Sequence, residues 1–211
     1  MNNLFSQPLR DVLKVSASSE PVPGGGSVSA IAGCFGAAMV SMVANLTIGK
    51  KKYHDVESKA VAVRDRVLSL MNRLEALVNE DMASFQRFME VYKMPRETQE
   101  QEQTRAFLLE ETLKASTETP LRIARACLEG LEMAAEIASF GSKMAISDAG
   151  VGANLLHAAL ESALLNVDIN LPSIKDEAFK RASLEERLSL SRRAQEVRDR
   201  CLSLVREKMI S

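Results

Sequence analysis

Tryptophan is absent from this chain, histidine occurs twice and cysteine three times. Each scarcity excludes something. With no Trp and only 4% aromatic residues, the chain lacks the stacking platforms on which single-stranded nucleic acids are bound. His54 and His157 alone do not furnish a His-rich metal site, and Cys34, Cys127 and Cys201 stand too far apart for a zinc or redox C-x-x-C pair. An odd, scattered cysteine set fits a reduced, cytoplasmic protein rather than a disulfide framework. The formal net charge is −1, so no global field draws in nucleic acid or a membrane surface. The first residues, Met-Asn-Asn-Leu-Phe-Ser-Gln-Pro, lack the basic and apolar regions of a signal peptide. The alternation that marks β-strands is essentially missing too.

What remains is helical. The 211 residues, 46% apolar and 26% charged, suit one globular domain over 1–211. Residues 3–16 read as a short amphipathic helix with Leu4, Leu9, Val12 and Leu13 inward. A helix over about 55–93 carries Val63, Val67, Leu70, Leu74, Leu77, Phe85 and Phe88 at seam-like steps of three and four. Thr98 and Gln101 form a capping-box pattern. The helix they start meets Pro120, which is expected to kink or divide it, and Gly141 is its natural stop. Helix signal resumes from about Ala149 to Asp168, with Ser147 and Asp148 as N-cap types. A last helix over 184–209 is expected to be capped by Ser183 with Glu186. The expected fold is all-α: a bundle of about six or seven helices, several long, packed as a homodimer because the long apolar stripes exceed what one subunit buries.

The most unusual stretch is Pro21–Tyr53. Two prolines lead into Gly24, Gly25 and Gly26, then Ser27 as a candidate N-cap, then a helix of small and apolar residues, then Gly49 and Lys50, Lys51 and Lys52. Val28–Ile48 has 21 residues without a charge. That length spans a bilayer, but Ser29, Ser41, Asn45 and Thr47 favour a central helix buried among others. Ala30, Gly33, Ala37 and Ala44 would let neighbouring backbones come close.

Several residues have both a chemical and a structural reading. The triglycine loop before a helix suits a phosphate or carboxylate, or it is a turn; it is neither a P-loop nor a dinucleotide fingerprint. The lysine run is a solvated helix end or a rim for an acidic tail. Asp81 interrupts an apolar seam, where a carboxylate is paired or used. Asp148 reads as a helix cap and His157 as a core histidine. Asn166 and Asn170 share a face and either read a flat, amide-like ligand or bridge two helices.

Taken in order, Pro21–Ala30 (Pro-Val-Pro-Gly-Gly-Gly-Ser-Val-Ser-Ala), Met42–Thr47, Gly49–Tyr53, Asn79-Glu-Asp81, Phe85, Lys93-Met-Pro95, Pro120, Ser147–Gly152 and Asn166–Asn170 closely resemble the cyclodeaminase/cyclohydrolase family. That family includes the C-terminal half of formiminotransferase-cyclodeaminase and free-standing methenyltetrahydrofolate cyclohydrolases. The resemblance spans roughly residues 9–177. One departure is Ser142, where family members tend to carry Asn. The resemblance implies an all-helical homodimer acting on a tetrahydrofolate derivative as substrate, with no prosthetic group and no metal.

Under it, Asp81 or Asp148 is the expected general acid/base, with Lys51 as electrostatic partner. Gly24, Gly25, Gly26, Ser27, Lys50 and Lys52 would hold the folate carboxylates or shape the pocket, beside Ser147. Asn166 and Asn170 would orient the ring system. Hydrolysis of 5,10-methenyltetrahydrofolate to 10-formyltetrahydrofolate is the first expectation, because no transferase domain is attached. Cyclodeamination of formiminotetrahydrofolate is the second, and a non-catalytic folate-binding dimer the third.

Overall fold

The computed structural model describes residues 3–210. Met1 and Asn2, which open the stretch read as lacking a signal peptide, and Ser211, the end of the expected domain, lie outside the described residues. Among the described residues there are six α-helices and no strand. They are α1 (Leu9–Ser16), α2 (Gly25–Thr47), α3 (Glu57–Tyr92), α4 (Gln99–Phe140), α5 (Ile146–Asn170) and α6 (Glu177–Ile210), with short 3-10 turns between several of them.

Helices α2 to α5 form an up-down-up-down bundle. Cross-contacts give its register. On α3 and α4, Arg66 pairs with Glu136 and Arg73 with Glu129, while Glu80 pairs with Arg122. The pairing partners run in opposite directions, so the two helices are antiparallel. Helix α6 lies along α4 and α5, tied by Arg125 to Glu186 and by Arg187 to Asp168. These ion pairs are partly exposed and contribute little stability each, but they fix which turns face one another.

The interior is made by small residues meeting large ones. A Cβ on Gly36 would stand 3.0 Å from the Gly152 carbonyl oxygen, so α2 and α5 touch backbone to backbone there. Leu70, Leu74, Leu131, Leu156 and Leu160 are fully buried around that contact. The seam on α3 runs as expected through Val63, Val67, Leu70, Leu74 and Leu77. Ala30, Ala37 and Ala44 are fully buried, and α2 packs against α3, α4 and α5. Helix α2 is long and apolar enough to cross a membrane by composition, with mean hydropathy 1.8. Its Ala and Gly faces are instead filled by neighbouring helices. Gly49, at φ 72°, ends the helix in the left-handed conformation that glycine adopts without strain.

Several boundaries differ from expectation, each for a local reason. The first segment is a 3-10 turn, Leu4–Ser6, followed by α1, with Pro8 at the N-cap. Leu4 and Val12 point inward, whereas Leu9 and Leu13 remain 56% and 62% exposed. Pro120 does not divide α4, which continues as one helix of 42 residues. Ser147 and Asp148 are not caps: the turn Lys143–Ala145 feeds straight into α5, whose N-cap is Ala145. Ser183 is buried inside α6, which starts earlier because Asp176 accepts the N–H groups of Ala178 and Phe179 at 3.1 and 3.0 Å. The capping box at Thr98 and Gln101 is formed as read.

Candidate active site

Where α2 begins, four helices leave a half-enclosed cavity of about 190 Å³. Gly24, Gly25 and Gly26 line it from α2, Asp81 from α3, and Asn166 and Asn170 from the end of α5. The seam of α3 explains the carboxylate. Up to Leu77 its residues face the core; from Asp81 onward the same stripe emerges into the cavity, and Phe85 and Phe88 line the wall instead of filling the interior. Their expected place in the core is corrected here: the bundle has opened by that level.

Ser27 does not cap α2. Gly24 is the N-cap, the helix starts two residues before Ser27, and the Ser27 hydroxyl donates to Asp81 Oδ2 at 2.6 Å. The Ser27 N–H bonds the same carboxyl. The glycine-led helix start therefore cradles an anion belonging to the protein itself, with the positive end of the helix dipole behind it. Gly26 has no room for a side chain, since a Cβ there would lie 2.2 Å from Asp81 Oδ1. Burial nevertheless raises the Asp81 pKa above the usual carboxylate value, more than the two Ser27 hydrogen bonds lower it. A carboxyl whose proton affinity is raised by burial is better suited to taking and returning a proton than an exposed one.

The amides opposite are oriented by their own hydrogen bonds. Asn166 Nδ2 donates to the Ser162 carbonyl at 3.0 Å, and Asn170 Nδ2 to the Ser116 carbonyl at 3.0 Å. Both carbonyls only accept, so each amide keeps its Oδ1 and one N–H for another partner. The second bond has a cause in the sequence. Pro120 lacks an N–H, which leaves the Ser116 carbonyl without its helical donor, and Asn170 replaces it. The Ser116 hydroxyl beside it is buried without a hydrogen-bond partner. The cavity is thus lined by the Asp81 carboxyl, the Asn166 and Asn170 amides, Ser84 and Ser116 against Phe85, Phe88, Leu113 and Ile169, and no Lys or Arg lines it.

The other expected site residues lie elsewhere in the chain. Lys50, Lys51 and Lys52 are exposed beyond the far end of α2. The 23 residues of that helix put about 35 Å between them and the glycines. Ser147 and Asp148 occupy the first turn of α5, at the lysine end and not the cavity end. Tyr53 is there too: its hydroxyl accepts the Lys143 N–H at 3.0 Å, and that bond, helped by Lys52 and Lys208, lowers its pKa. His157 stacks no chemistry near the cavity; it meets Arg198 at 3.4 Å between α5 and α6. The cysteines are buried, with Cys34 pushed up to about 12 and Cys201 to about 11, which makes them inert thiols. Sequence reasoning missed Ser84, Leu113, Ser116 and Ile169 in the cavity wall. Only Ser116 carried a signal, its position four residues before a mid-helix proline.

Comparison with known proteins gives the family of this fold. The family model described as formiminotransferase-cyclodeaminase matches residues 8–189. The chain is 40% identical over 193 residues to the methenyltetrahydrofolate cyclohydrolase of Methylorubrum extorquens, covering 92% of this chain and 93% of that protein. It is 33% identical to the formimidoyltransferase-cyclodeaminase of Gallus gallus, across 84% of this chain but only 33% of that longer protein. The crystal structure of formiminotetrahydrofolate cyclodeaminase from Thermotoga maritima superposes with a TM-score of 0.87 at 28% identity, covering 96% of this chain and 98% of that one. By sequence and by fold, this chain belongs to the formiminotransferase-cyclodeaminase family.

Proposed function

We propose that this protein hydrolyses 5,10-methenyltetrahydrofolate to 10-formyltetrahydrofolate, as the name of its full-length bacterial relative indicates for that protein. The observation that supports it most is the Asp81 carboxyl, the one ionisable group in a cavity otherwise walled by neutral polar and apolar residues. The methenyl substrate is a cationic amidinium, so a lone carboxyl complements it. Water adds to the carbon between N5 and N10 while Asp81 takes a water proton. The tetrahedral adduct then collapses to the formyl group on N10. Asp81 returns its proton to N5 as the carbon–N5 bond breaks, and the adduct hydroxyl releases the second proton to solvent. The substrate carbon is already electrophilic, so the scheme invokes no prosthetic group or metal. Asn166 and Asn170 accept N–H groups of the pterin, and Gly24 to Ser27 shape the wall and hold Asp81. Lys51 with its neighbours takes the glutamate tail in place of a direct role at the reacting carbon. Asp148, at the far end of α5, is left out of the proton transfer.

Cyclodeamination is the second reading, favoured by the family model and by the similarity to the Thermotoga maritima enzyme. There N10 attacks the formimino carbon and ammonia leaves, and the same carboxyl would serve as the proton carrier. The protein acts in this reading as a cytoplasmic homodimer of single-domain subunits. A second copy would cover Val28, Phe35 and Met42 of α2, which are 43%, 50% and 44% exposed on a helix with no charge. Loss of methenyltetrahydrofolate absorbance on adding enzyme is the expected result. Its appearance from formiminotetrahydrofolate with ammonia release would select the second reading. Tight folate binding without either change would leave a binding protein.

A further inference from the structure

Beyond its pterin a folate carries an aromatic amide ring and then a glutamate, yet the Asp81 cavity has no Lys or Arg to meet that carboxylate end. The fold continues past the cavity. Helix α2 begins at the level of Asp81, which Ser27 bonds, and α5 ends at the level of Ser116, whose carbonyl Asn170 bonds. Helices α3 and α4 do not stop there. α3 runs on to Tyr92 and α4 returns from Gln99, so the two extend beyond the cavity as a hairpin.

A line of side chains follows each arm. On α3, Asp81, Phe85, Phe88 and Tyr92 succeed one another at steps of four, three and four residues, along one face. On α4, Arg105 stands eleven residues before Ser116, about three turns, and shares its face. The two lines join. The ring centroids of Phe85 and Phe88 are 6.4 Å apart and those of Phe88 and Tyr92 5.9 Å, and the Arg105 guanidinium carbon lies 5.4 Å from the centre of the Tyr92 ring. Contacts therefore lead from the cavity wall through three rings to a cation. Phe85 and Tyr92 are exposed on this line, so these rings do not serve to fill the core.

Arg105 is both fixed and available. Its Nε and Nη2 donate to the Tyr92 carbonyl at 3.3 and 2.8 Å, which satisfies the end of α3 and holds the guanidinium plane in place. On nearby turns Arg87, Lys114 and Arg122 are held by Glu90, Asp176 and Glu80, whereas Arg105 has no carboxylate partner among the described residues. A fixed guanidinium with an unpaired charge suits a ligand carboxylate.

We propose that this face of the α3–α4 hairpin is a second part of the folate site, in which Phe85 and Phe88 stack the aminobenzoyl ring and Arg105 takes the α-carboxylate of the first glutamate. The assignment rests on the folate reading above. With the reacting carbon at Asp81, the ring and the glutamate leave the cavity along the hairpin. This subsite concerns the glutamate that every folate carries, and it is distinct from the Lys50–Lys52 run at the other end of the bundle.

A ligand series tests it by calorimetry on the whole protein. Tetrahydropteroate adds the ring to tetrahydropterin, and tetrahydrofolate adds the glutamate. Wild type is expected to bind tetrahydropteroate about 5-fold more tightly than tetrahydropterin, and tetrahydrofolate about 10-fold more tightly again. Phe85→Leu/Phe88→Leu keeps apolar side chains without the rings, and should abolish the first step while keeping the second. Arg105→Gln keeps an N–H for the Tyr92 carbonyl but no charge, and should abolish the second step while keeping the first. Arg105→Lys should recover part of it. Equal wild-type affinity for tetrahydropteroate and tetrahydrofolate overturns the carboxylate subsite, as does a full second step in Arg105→Gln. A full first step in the double leucine variant overturns the ring subsite. In each of these cases turnover of methenyltetrahydrofolate by wild type still upholds the folate reading. Neither turnover nor binding of any of the three ligands rejects that reading, and the subsite with it.

Discussion

At the end of the bundle where α2 begins, the Asp81 carboxyl, two asparagine amides and two serines line a half-enclosed cavity. At the end where it stops, lysines and a tyrosine hydroxyl stand at the surface. The same four helices build both ends, so the difference comes from what each helix brings there. The cavity end is more enclosed, and its charge is single, cradled by the start of α2 and shifted in pKa by burial. The lysine end is wet, multiply charged and unconfined. Proton transfer needs the first environment, where one group's affinity for a proton is tuned by its surroundings. Holding a long, flexible, anionic chain needs only the second.

The largest expected effect comes from removing the tuned charge. Asp81→Asn keeps the shape and still accepts from Ser27, but it carries no proton; turnover of methenyltetrahydrofolate is expected to fall by about 100-fold or more. Stability should move the other way. The Asp81 pKa is raised on folding, so its stabilising contribution is present below the unfolded pKa and lost as pH rises through the raised folded value. The Asn variant escapes that loss. It should melt above wild type at neutral pH, and the gap should close as pH falls to the ordinary carboxylate range. Melting curves across acidic to neutral pH check this, and near-wild-type turnover would remove Asp81 from the reaction.

Next in size is Gly26→Ala. Its Cβ would stand 2.2 Å from Asp81 Oδ1, so either the carboxyl or the start of α2 must shift. We expect kcat to fall about 10-fold or more and stability to drop by about 2 kcal/mol. Equal kcat would mean that Asp81 tolerates displacement. The Lys50→Ala/Lys51→Ala/Lys52→Ala change probes the other end. It should raise KM for a glutamylated folate by about 10-fold, leave kcat within about twofold and leave the melting temperature unchanged. Added salt should erase the difference in KM, because these lysines are exposed.

The two ends were not equally legible in the sequence. The long helices, the α3 seam and the break in it at Asp81 follow from apolar spacing, and the structure places Asp81 where that seam leaves the core. The glycines were readable as an anion cradle, but Asp81 as an anion held beside them was not, because no local pattern reveals that residues 27 and 81 meet. Chain order suggested one site from Gly24 to Lys52, whereas a 23-residue helix in between makes that separation a length of the bundle. Asp148 likewise shares α5 with Asn166 and Asn170 but stands at its opposite end. Ser116 went unseen because its only signature is indirect, the proline four residues later that frees its carbonyl. Its importance arises only when Pro120 and Asn170 are brought beside it.

Ser116→Ala gives the smallest and most particular of these effects. The buried hydroxyl has no partner, whereas a mid-helix serine ordinarily bonds back to the carbonyl four residues earlier. Leaving a buried polar atom unsatisfied costs about 1 kcal/mol or more, so deleting it should stabilise the unliganded protein and raise its melting temperature by a few degrees, about 2–4. If bound ligand supplies the missing partner, the same deletion raises KM several-fold, about 3–10-fold, and shrinks the ligand-induced rise in melting temperature. A purely structural serine would move stability and KM in the same harmful direction, or neither. Only a hydroxyl kept unsatisfied for a ligand gains stability and loses affinity together. Serine-to-threonine replacement sharpens the reading: it retains the hydroxyl and should hold KM nearer to wild type than alanine does. Unchanged KM in the alanine variant would assign the cavity's recognition to Asp81, Asn166 and Asn170 alone.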